Sequence, residues 1–397
     1  MHAIYIISII LISIGVTLFL LSFIFEYTRK QNLKKRNVKD YAIIIPARNE
    51  SKVIKNLLDS IKLQNPNMDN VYVIVEDKKD ETVKIVKEYG GNIYVRKNIE
   101  NRRRKGYALD ECLKDILKKK HYDLYFIMDA DNILGKNFIN EMLKTYKKGY
   151  DIATSYRNIK NSSNIISSCS GLTFSFMNTL FNEYNNHMHK SMIISGTGFY
   201  ISGELVEKLN GYPFHSLTED YELTLYAEAN NISSYYNKNA IFYDEQPTKM
   251  KDSIKQRTRW VKGFLEARKI RLKDIKDDYS KLMGIIPYLF IIIGIAILLI
   301  SNFGLSIHYL ITSNNLFFTT FKSFINILLI AYLILAALTF YVILKENNKL
   351  NMTLKYKILS CLYNPIFLST YIYCFIKALV TKNVAWEEIK HEKTQID

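Results

Sequence analysis

The chain alternates between long apolar segments and one polar central block. Residues Ala3 to Phe25 carry no charged side chain, and this run of about 23 residues is long enough to cross a hydrocarbon core of roughly 30 Å. Three more apolar segments follow the polar block, at Leu282 to Ser301, Phe324 to Leu344 and Ile358 to Val380. Asn364-Pro365 interrupts the last segment, so it either spans the membrane or re-enters.

Short apolar runs alternate with helical stretches inside the polar block. Four continuous runs predict strands buried on both faces of a parallel sheet. They are Tyr41 to Ile45, Val71 to Val75, Ile93 to Val95 and Leu124 to Met128. The helices predicted between them are Ser51 to Leu63, a helix starting near Asp80, and Tyr107 to Lys118. Strands alternating with helices indicate an open α/β sheet.

Charged residues directly follow three of these strands. They are Arg48 and Glu50, Glu76 and Asp77, and Asp129 and Asp131. Ligands bind open α/β sheets beyond the carboxyl ends of the strands, so we expect these side chains to meet. The Asp129-x-Asp131 pair offers hard oxygen ligands that suit Mg²⁺ or Mn²⁺. A solvated turn or a helix cap is the alternative interpretation of so short a pattern.

The charge distribution predicts an orientation in the membrane. Lys and Arg number 54 against 38 Asp and Glu, a formal charge of +16. Basic residues flank the apolar segments, whereas Lys322 is the only one between Asn302 and Lys322. The positive-inside rule then places the N-terminus outside and the block from Glu26 to Lys281 in the cytosol. Anionic lipid explains the basic excess, and no RNA-binding motif or zinc-finger spacing favours a nucleic-acid partner.

Four regions follow from these patterns. Residues 1–27 form a transmembrane anchor, and we prefer a retained anchor to a signal peptide because the run lacks a basic start and a small-residue cleavage site. Residues 28–281 form the cytosolic domain, which ends in an interfacial helix. Residues 282–380 supply three membrane segments, the last of them spanning or re-entrant, and residues 381–397 form a tail. The four cysteines form no C-x-x-C pair, which argues against a disulfide framework or a zinc site.

Three further motifs carry candidate chemistry. The acids of Thr218-Glu219-Asp220 offer a general base, or they cap a helix. Ser195-Gly196-Thr197-Gly198 permits a close backbone approach to a ligand, or forms a turn. Gln256-Arg257-Thr258-Arg259-Trp260 combines phosphate-binding arginines with an indole that can stack on a sugar, and it also suits an interfacial helix. No G-x-G-x-x-G follows the first strand and no P-loop sequence occurs, which excludes those nucleotide folds.

Taken in order, the motifs resemble those of the family 2 membrane glycosyltransferases, which have a GT-A fold and include the synthases of hyaluronan, cellulose and poly-N-acetylglucosamine. The resemblance runs from about residue 40 to 263 and implies a GT-A-type α/β open sheet in the cytosol joined to transmembrane α-helices. The motifs that carry it are Ala42 to Glu50, Val75 to Thr82, Lys105 to Leu109, Asp129 to Asn132, Ser195 to Gly198, Thr218 to Asp220 and Gln256 to Trp260.

The resemblance implies a role for each matching position. Donor-binding residues would be Pro46, Arg48, Glu50, Asp77, Lys105, Asp129, Gln256, Arg257 and Arg259. Asp131, with Asp129, would hold Mg²⁺ or Mn²⁺. Asp220, with Glu219 beside it, would be the catalytic base, and the acceptor would contact Trp260, Gly196 and Thr197. One departure from the family pattern is the pair of lysines at Lys78 and Lys79.

The resemblance implies an inverting transferase that moves a hexosyl or N-acetylhexosaminyl group from a nucleoside-diphosphate sugar, expected to be a UDP-sugar. The acceptor would be a glycan or a lipid-linked molecule at the cell membrane, in the synthesis of surface or extracellular polysaccharide. Because three or four spans are few for a polymer pore, a processive enzyme would need a homo-oligomer or a membrane partner. The alternatives are an enzyme adding one sugar to a glycolipid, a degenerate membrane-anchored binding protein, and a metal-dependent nucleotidyl or phosphoryl transferase.

Overall fold

The chain forms two compact units, each described separately below. The structure is a computed structural model that describes residues 2–26, 33–100, 102–276, 286–312 and 315–381. One unit combines Met1–Lys30 with Leu272–Tyr341, and the other combines Gln31–Arg271 with Val342–Asp397. The last apolar helix therefore belongs to the same unit as the sheet, whereas the sequence groups it with the other membrane segments.

Among the described residues, eight strands form one mixed sheet. They are β1 (Tyr41–Pro46), β2 (Val71–Val75), β3 (Asn92–Val95), β4 (Leu124–Ile127), β5 (Ile133–Leu134), β6 (Ile152–Ile159), β7 (Phe199–Ser202) and β8 (Ser234–Asp244). Their order is β3-β2-β1-β4-β7-β6-β8-β5. The four strands predicted from apolar runs pair in parallel at one end of the sheet, whereas β7 runs antiparallel to both β4 and β6.

The helices complete the layers around the sheet. They are α1 (His2–Glu26), α2 (Ile54–Lys62), α3 (Thr82–Glu88), α4 (Lys105–Leu117), α5 (Phe138–Lys147), α6 (Ile165–Phe176), α7 (Glu183–His187), α8 (Gly203–Leu209), α9 (Glu219–Ala229), α10 (Met250–Lys276), α11 (Ile286–Ile311), α12 (Leu316–Lys345) and α13 (Leu354–Val380). A π-helical turn, Met177–Asn182, joins α6 to α7. The predicted helix near Asp80 begins at Thr82, whose backbone N–H donates to the Asp80 carboxylate at 2.9 Å.

Two apolar clusters explain why the parallel strands are hydrophobic at every position. Ile43 and Ile45 of β1 pack with Leu57 of α2 on one side of the sheet. Ile44, between them, packs with Leu109 and Leu113 of α4 on the other side. Each such buried side chain stabilises the fold by about 1.5–3 kcal/mol. The sheet therefore lies between two helical layers, and the polar strand ends emerge at its edge.

Two glycines bring helices close to the segment that precedes α9. A Cβ at Gly106, next to Lys105, would lie 1.9 Å from the Phe214 carbonyl oxygen. A Cβ at Gly263 in α10 would lie 2.5 Å from Thr218 Cγ2. Only glycine allows these approaches, so the starts of α4 and α9 and the middle of α10 are held together around one space.

The other unit contains α1, α11 and most of α12. The Tyr5 hydroxyl of α1 donates to the Asn302 side chain of α11, and a Cβ at Gly294 would lie 2.7 Å from Ile12 Cγ1. These contacts hold α1 against α11. The described apolar part of α1 is Ile4–Leu18.

Three helices that follow the polar block are long and apolar enough to cross a membrane. Among the described residues they are Ile293–Ile311, Leu316–Lys345 and Leu354–Val380. They overlap the three segments predicted after residue 281, but the first ends at Ile311 and not at Ser301, and residues 282–285 lie outside the described part of the chain. Pro365 lies inside α13 and does not end it.

Candidate active site

A cleft of about 1350 Å³ opens at the edge of the sheet where the parallel strands end. Most of the residues predicted to form a site line it. They are Pro46, Arg48, Glu50, Lys105, Asp129, Asp131, Gly196, Glu219, Asp220, Gln256, Arg259 and Trp260. The structure therefore brings together side chains from segments that are more than 200 residues apart in the sequence.

Three predicted site residues lie elsewhere. Asp77 is exposed, and its carboxylate accepts a hydrogen bond from the Lys79 N–H at 3.0 Å. Thr197 is fully buried behind the cleft. Arg257 is 1% exposed and donates to the Phe367 carbonyl at 3.2 Å and the Thr370 hydroxyl at 2.7 Å, both on α13. Thr197 and Arg257 are thus placed as supporting residues, and Asp77 is placed at the surface.

Buried polar contacts fix the Asp129–Asp131 turn. The Asp129 N–H donates to Thr197 Oγ1 at 2.8 Å and to Asn132 Oδ1 at 3.1 Å. Thr197 in turn donates to Asn132 at 2.5 Å, and Asn132 donates to Asp244 Oδ1 at 2.8 Å. Because backbone and side-chain atoms are both held, the two carboxylates of this turn project into the cleft from a rigid support.

Arg157 and Asp244 form a buried ion pair beneath this turn. Arg157 Nη2 lies 2.5 Å and Nε 3.0 Å from Asp244 Oδ2, and the other amino group donates to the Ser195 carbonyl at 2.7 Å. Burial raises the pKa of the Asp244 carboxyl, and the Arg157 guanidinium opposes that shift. Both residues line the cleft, so the pair adds a cation and a carboxylate to its floor.

Lys105 connects the two acidic sides of the cleft. Its ammonium donates to the Asp129 carboxylate and to the Gly196 carbonyl at 2.7 Å, and it lies 4.0 Å from Glu219 Oε1. Burial lowers its pKa, but Asp129 and Glu219 outweigh that effect and hold the pKa above its ordinary value. Lys105 therefore stays cationic and faces the space where a phosphate would approach.

Glu219 and Asp220 begin α9 and face this cation. Burial, reinforced by the Asp220 charge, raises the pKa of Glu219 to about 7. Burial also raises the pKa of Asp220, while nearby Lys105, Arg259 and Arg157 oppose the shift. A Cβ at Gly196 would lie 3.4 Å from Asp220 Oδ2, so this carboxylate faces the glycine turn. The backbone of Gly196 has φ +81°, a conformation that residues other than glycine rarely adopt.

Glu219→Gln should stabilise the protein at pH 8 and have little effect near pH 4.5. Between its ordinary value of 4.5 and about 7, Glu219 is ionised in the unfolded chain but still protonated in the folded one. The folded state then binds more protons, so stability falls as pH rises through this window. Thermal unfolding at both pH values measures the difference. The exposed Glu88→Gln variant is the control, and a Glu219→Gln variant no more stable than wild type at pH 8 would contradict the argument.

Helix α10 presents one face to the cleft. Gln256, Arg259 and Trp260 lie three and four residues apart and share that face. Trp260 packs edge-on against Phe174 of α6, with ring centroids 5.6 Å apart. Arg257, one position from Gln256, points away from the cleft and contacts α13.

Ion pairs dock α10 onto the segment before α9. Glu266 accepts from Arg104 at 2.8 Å and from the Leu217 N–H at 3.1 Å. Arg271 donates to Glu222 at 2.9 Å, and the other oxygen of Glu222 accepts from the Ser216 N–H at 2.9 Å. The position of Asp220 relative to Trp260 is therefore fixed by contacts between these two helices.

The carboxylates of Asp129 and Asp131 suit a divalent cation that would also contact a phosphate of the donor. Asp131 is half-buried at the cleft, where Lys160 donates to its backbone carbonyl at 3.1 Å and Asn132 donates to its carboxylate at 3.2 Å. Within the described ranges, no group of three or more His, Cys, Asp or Glu side chains is arranged to hold a metal ion. Asp131 and Asp129, the two carboxylates of this turn, would be its protein ligands, and oxygens from outside the protein would complete the coordination.

The sequence places both Glu76 and Asp77 at this edge and assigns the donor contact to Asp77, but it is Glu76 that lines the cleft, where it pairs with Arg48 at 3.3 Å. Sequence reasoning missed Asp244 and Arg157 of the cleft. Asp244 is the last residue of β8, at the strand end, so the rule applied to the first strands could have found it. Arg157 is a charged residue inside a fully buried strand, and its burial is explained by its contacts with Asp244, the Ser195 carbonyl and the Phe174 ring.

Comparison with solved structures identifies the class of fold. A mannosyltransferase from Pyrobaculum calidifontis, solved in complex with GDP-Man and Mn²⁺, has a similar fold, with a TM-score of 0.56 at 15% identity over 96% of this chain and 100% of that chain. The fold and the cleft thus define a GT-A-type protein.

The sequence comparisons identify the family within this class. The model described as Glycosyltransferase like family 2 matches residues 39–263. "Probable glycosyltransferase YdaM" of Bacillus subtilis is 24% identical over 241 residues, 59% of this chain and 57% of that protein. A "Probable glycosyltransferase" of Sulfolobus acidocaldarius is 25% identical over 277 residues, 66% of this chain and 58% of that protein. The chain belongs to the glycosyltransferase family 2, and it spans less than three fifths of the length of these two relatives.

Proposed function

We propose that the protein is an inverting glycosyltransferase that moves a sugar from a nucleoside-diphosphate sugar to an acceptor at the membrane. The arrangement around Lys105 carries the proposal, because one cation touches the Asp129 side of the cleft and lies within 4.0 Å of Glu219 on the opposite side. A donor diphosphate can approach the first side while an acceptor approaches the second. We infer a UDP-sugar as the donor and a hexosyl or N-acetylhexosaminyl group as the sugar transferred.

The chemistry needs one base and a stabilised leaving group. Asp220 takes the proton of the acceptor hydroxyl, whose oxygen attacks the anomeric carbon as the bond to the diphosphate oxygen breaks. A single displacement of this kind inverts the anomeric centre. Lys105 and Arg259 neutralise the charge that develops on the departing diphosphate. Bound Mg²⁺ or Mn²⁺ on Asp131 and Asp129 would supply further electrostatic stabilisation there.

The acceptor side of the cleft favours an amphiphilic acceptor. Leu265, Ala378 and Leu379 line it together with the cations of Lys262 and Lys269. A lipid-linked acceptor presents both an apolar chain and an anionic phosphate, so it matches this lining better than a free sugar does. We therefore place the reaction at the cytosolic membrane surface, in the synthesis of a surface or extracellular glycan. A polymer product would need a partner or a second copy for export.

A donor screen on the full chain in lipid vesicles tests the proposal. UDP-glucose, UDP-N-acetylglucosamine and GDP-mannose are supplied with Mn²⁺, and release of nucleoside diphosphate and product mass are measured. We expect release with at least one UDP-sugar and its loss with a chelator. Asp77→Asn, which changes an exposed residue outside the cleft, is the control and should keep the activity. A nucleotide that binds without turnover under every condition would favour the binding protein instead.

A further inference from the structure

Lys160 places a buried ammonium group next to the cleft. It follows β6, and none of its side chain is exposed. Lysine is almost never fully buried unless a partner accepts its charge. Its ammonium contacts two groups of residues that line the cleft, the Asp131 backbone carbonyl at 3.1 Å and Glu245 Oε2 at 3.4 Å. Lys160 therefore links the Asp129–Asp131 turn to a further carboxylate.

The ends of two strands fix the position of this lysine. β6 and β8 run parallel and end side by side, and the Lys160 N–H donates to the Asp244 carbonyl at 2.9 Å. One residue further along, the Asn161 side chain donates to the Gln246 carbonyl at 2.8 Å and accepts from the Gln246 N–H at 2.7 Å. Because both backbones are held beyond the strand ends, Lys160 and Glu245 are kept next to each other.

Ion pairs involve three carboxylates at this end of the cleft. The pairs join Asp129 to Lys105, Asp244 to Arg157 and Glu245 to Lys160. The exposed fraction of the Glu245 side chain is 8%, against 37% for Asp129. The Glu245 carboxylate is therefore directed to the lysine, although its residue lines the same cleft as the Asp129–Asp131 turn.

The number of carboxylates in a site determines how tightly it holds a divalent cation. Oxygen sites for such cations gain affinity as the charge of their ligands increases. Asp129 and Asp131 alone would form a weak site, which oxygens from outside the protein would strengthen. A third carboxylate would let the protein hold the cation by itself. The part of the chain that the structure describes contains no such group of three, in agreement with the pairing of Glu245 with Lys160.

We propose that Lys160 is a positioning residue that withholds Glu245 from the divalent cation and so makes binding of the cation depend on the donor. This inference rests on the proposed function, in which Asp129 and Asp131 hold the cation. With Glu245 neutralised, the cleft has low affinity for the cation when it is empty and higher affinity when a nucleoside diphosphate is bound. Departure of the nucleotide then lowers the affinity again, so the protein does not stay loaded with the cation.

Binding of Mn²⁺ to the purified full chain in detergent tests the role of Lys160 without turnover. Electron paramagnetic resonance measures free Mn²⁺ in titrations with and without UDP. One variant is Lys160→Met, which keeps the length of the side chain but not its charge. A second is Lys160→Met/Glu245→Gln, which removes both charges of the pair. The matched control is Lys118→Met, the same substitution at a lysine that is 75% exposed and pairs with Asp115.

We expect Lys160→Met to bind Mn²⁺ about tenfold more tightly than wild type in the absence of UDP, because Glu245 becomes available as a third carboxylate. The gain in affinity that UDP provides should shrink accordingly. Addition of Glu245→Gln should remove the effect, and Lys118→Met should match wild type. A folded Lys160→Met chain with the wild-type affinity for Mn²⁺ would overturn the proposal, as would a gain that persists after Glu245→Gln.

The double variant decides the question even if Lys160→Met does not fold. The single substitution leaves Glu245 buried without its lysine, which is destabilising, whereas replacement of both members of a buried ion pair is often tolerated. Since neither residue is a ligand of the cation, UDP-dependent binding of Mn²⁺ to the double variant should stay within about threefold of wild type. A loss of about tenfold or more would identify Glu245 as a ligand and overturn the proposal.

Asp131→Ala separates this inference from the proposed function. It should abolish UDP-dependent binding of Mn²⁺ if the Asp129–Asp131 turn holds the cation. Binding that survives Asp131→Ala would remove the cation site on which both proposals rest. A defective Asp131→Ala variant together with an unaltered Lys160→Met variant would count only against the role of Lys160.

Discussion

Asp220→Asn is expected to lower the rate of sugar transfer by about 10²–10⁴-fold, the usual contribution of a general base. Asparagine keeps the size and hydrogen-bonding capacity of the side chain but cannot take the acceptor proton. Because Asp220 lies at the start of α9 and not on the Asp129–Asp131 turn, the affinity for UDP should change little. A coupled assay of UDP release gives the rate, and calorimetry with UDP gives the affinity.

The control for this experiment is Glu228→Gln, an exposed substitution at the other end of α9. It should leave both readouts at the wild-type level. If Asp220→Asn loses mainly UDP binding, Asp220 belongs to the donor site. Glu219, whose pKa is about 7, would then become the leading candidate for the base.

Trp260→Ala is expected to affect acceptor use, in contrast to the loss of proton transfer expected for Asp220→Asn. Trp260 packs on Phe174 and lines the cleft, and we propose that it faces the acceptor and not the diphosphate. We expect weaker use of the acceptor but continued slow, metal-dependent hydrolysis of the donor, because the indole orients the acceptor without touching the leaving group. Complete loss of donor hydrolysis in this variant would move Trp260 to the donor site.

The parallel half of the sheet could be predicted because its signal is local. β1, β2 and β4 are buried on both faces, so each is an uninterrupted apolar run that the sequence displays directly. β6 includes Thr154, Ser155, Arg157 and Asn158, which are buried only because the folded sheet supplies their partners. Local hydrophobicity cannot reveal a strand of that kind.

The site was predictable as a set of motifs but not side chain by side chain. After β2 the sequence offers two adjacent acids, and only the folded chain shows that Glu76 and not Asp77 lines the cleft. In the Gln256 to Trp260 motif, the helical geometry directs Gln256, Arg259 and Trp260 to the cleft, whereas Arg257 contacts α13. Asp244 and Arg157 are 87 residues apart, and their pairing depends on the neighbouring positions of β6 and β8.

Asp131→Ala is expected to abolish sugar transfer and metal-dependent donor binding while leaving the fold intact. Asp131 would hold the cation, and losing the electrostatic stabilisation that this cation would supply to the leaving group would cost several kcal/mol in the transition state. The fold should persist because Asp131 is half-buried at the cleft and its hydrogen bond from Lys160 is accepted by the backbone carbonyl, which alanine retains. Asp129→Ala should be more disruptive, since it also releases Lys105.

Three readouts separate these expectations. Thermal unfolding should show Asp131→Ala close to wild type, calorimetry with UDP should lose its dependence on Mn²⁺, and product mass should show no transfer. Asp77→Asn, which removes one carboxylate from the exposed turn after β2, controls for the loss of negative charge. An Asp131→Ala variant that turned over at near the wild-type rate in Mg²⁺ or Mn²⁺ would show that the cation, if used, is held elsewhere. Stabilisation of the leaving group would then fall to Lys105 and Arg259 alone.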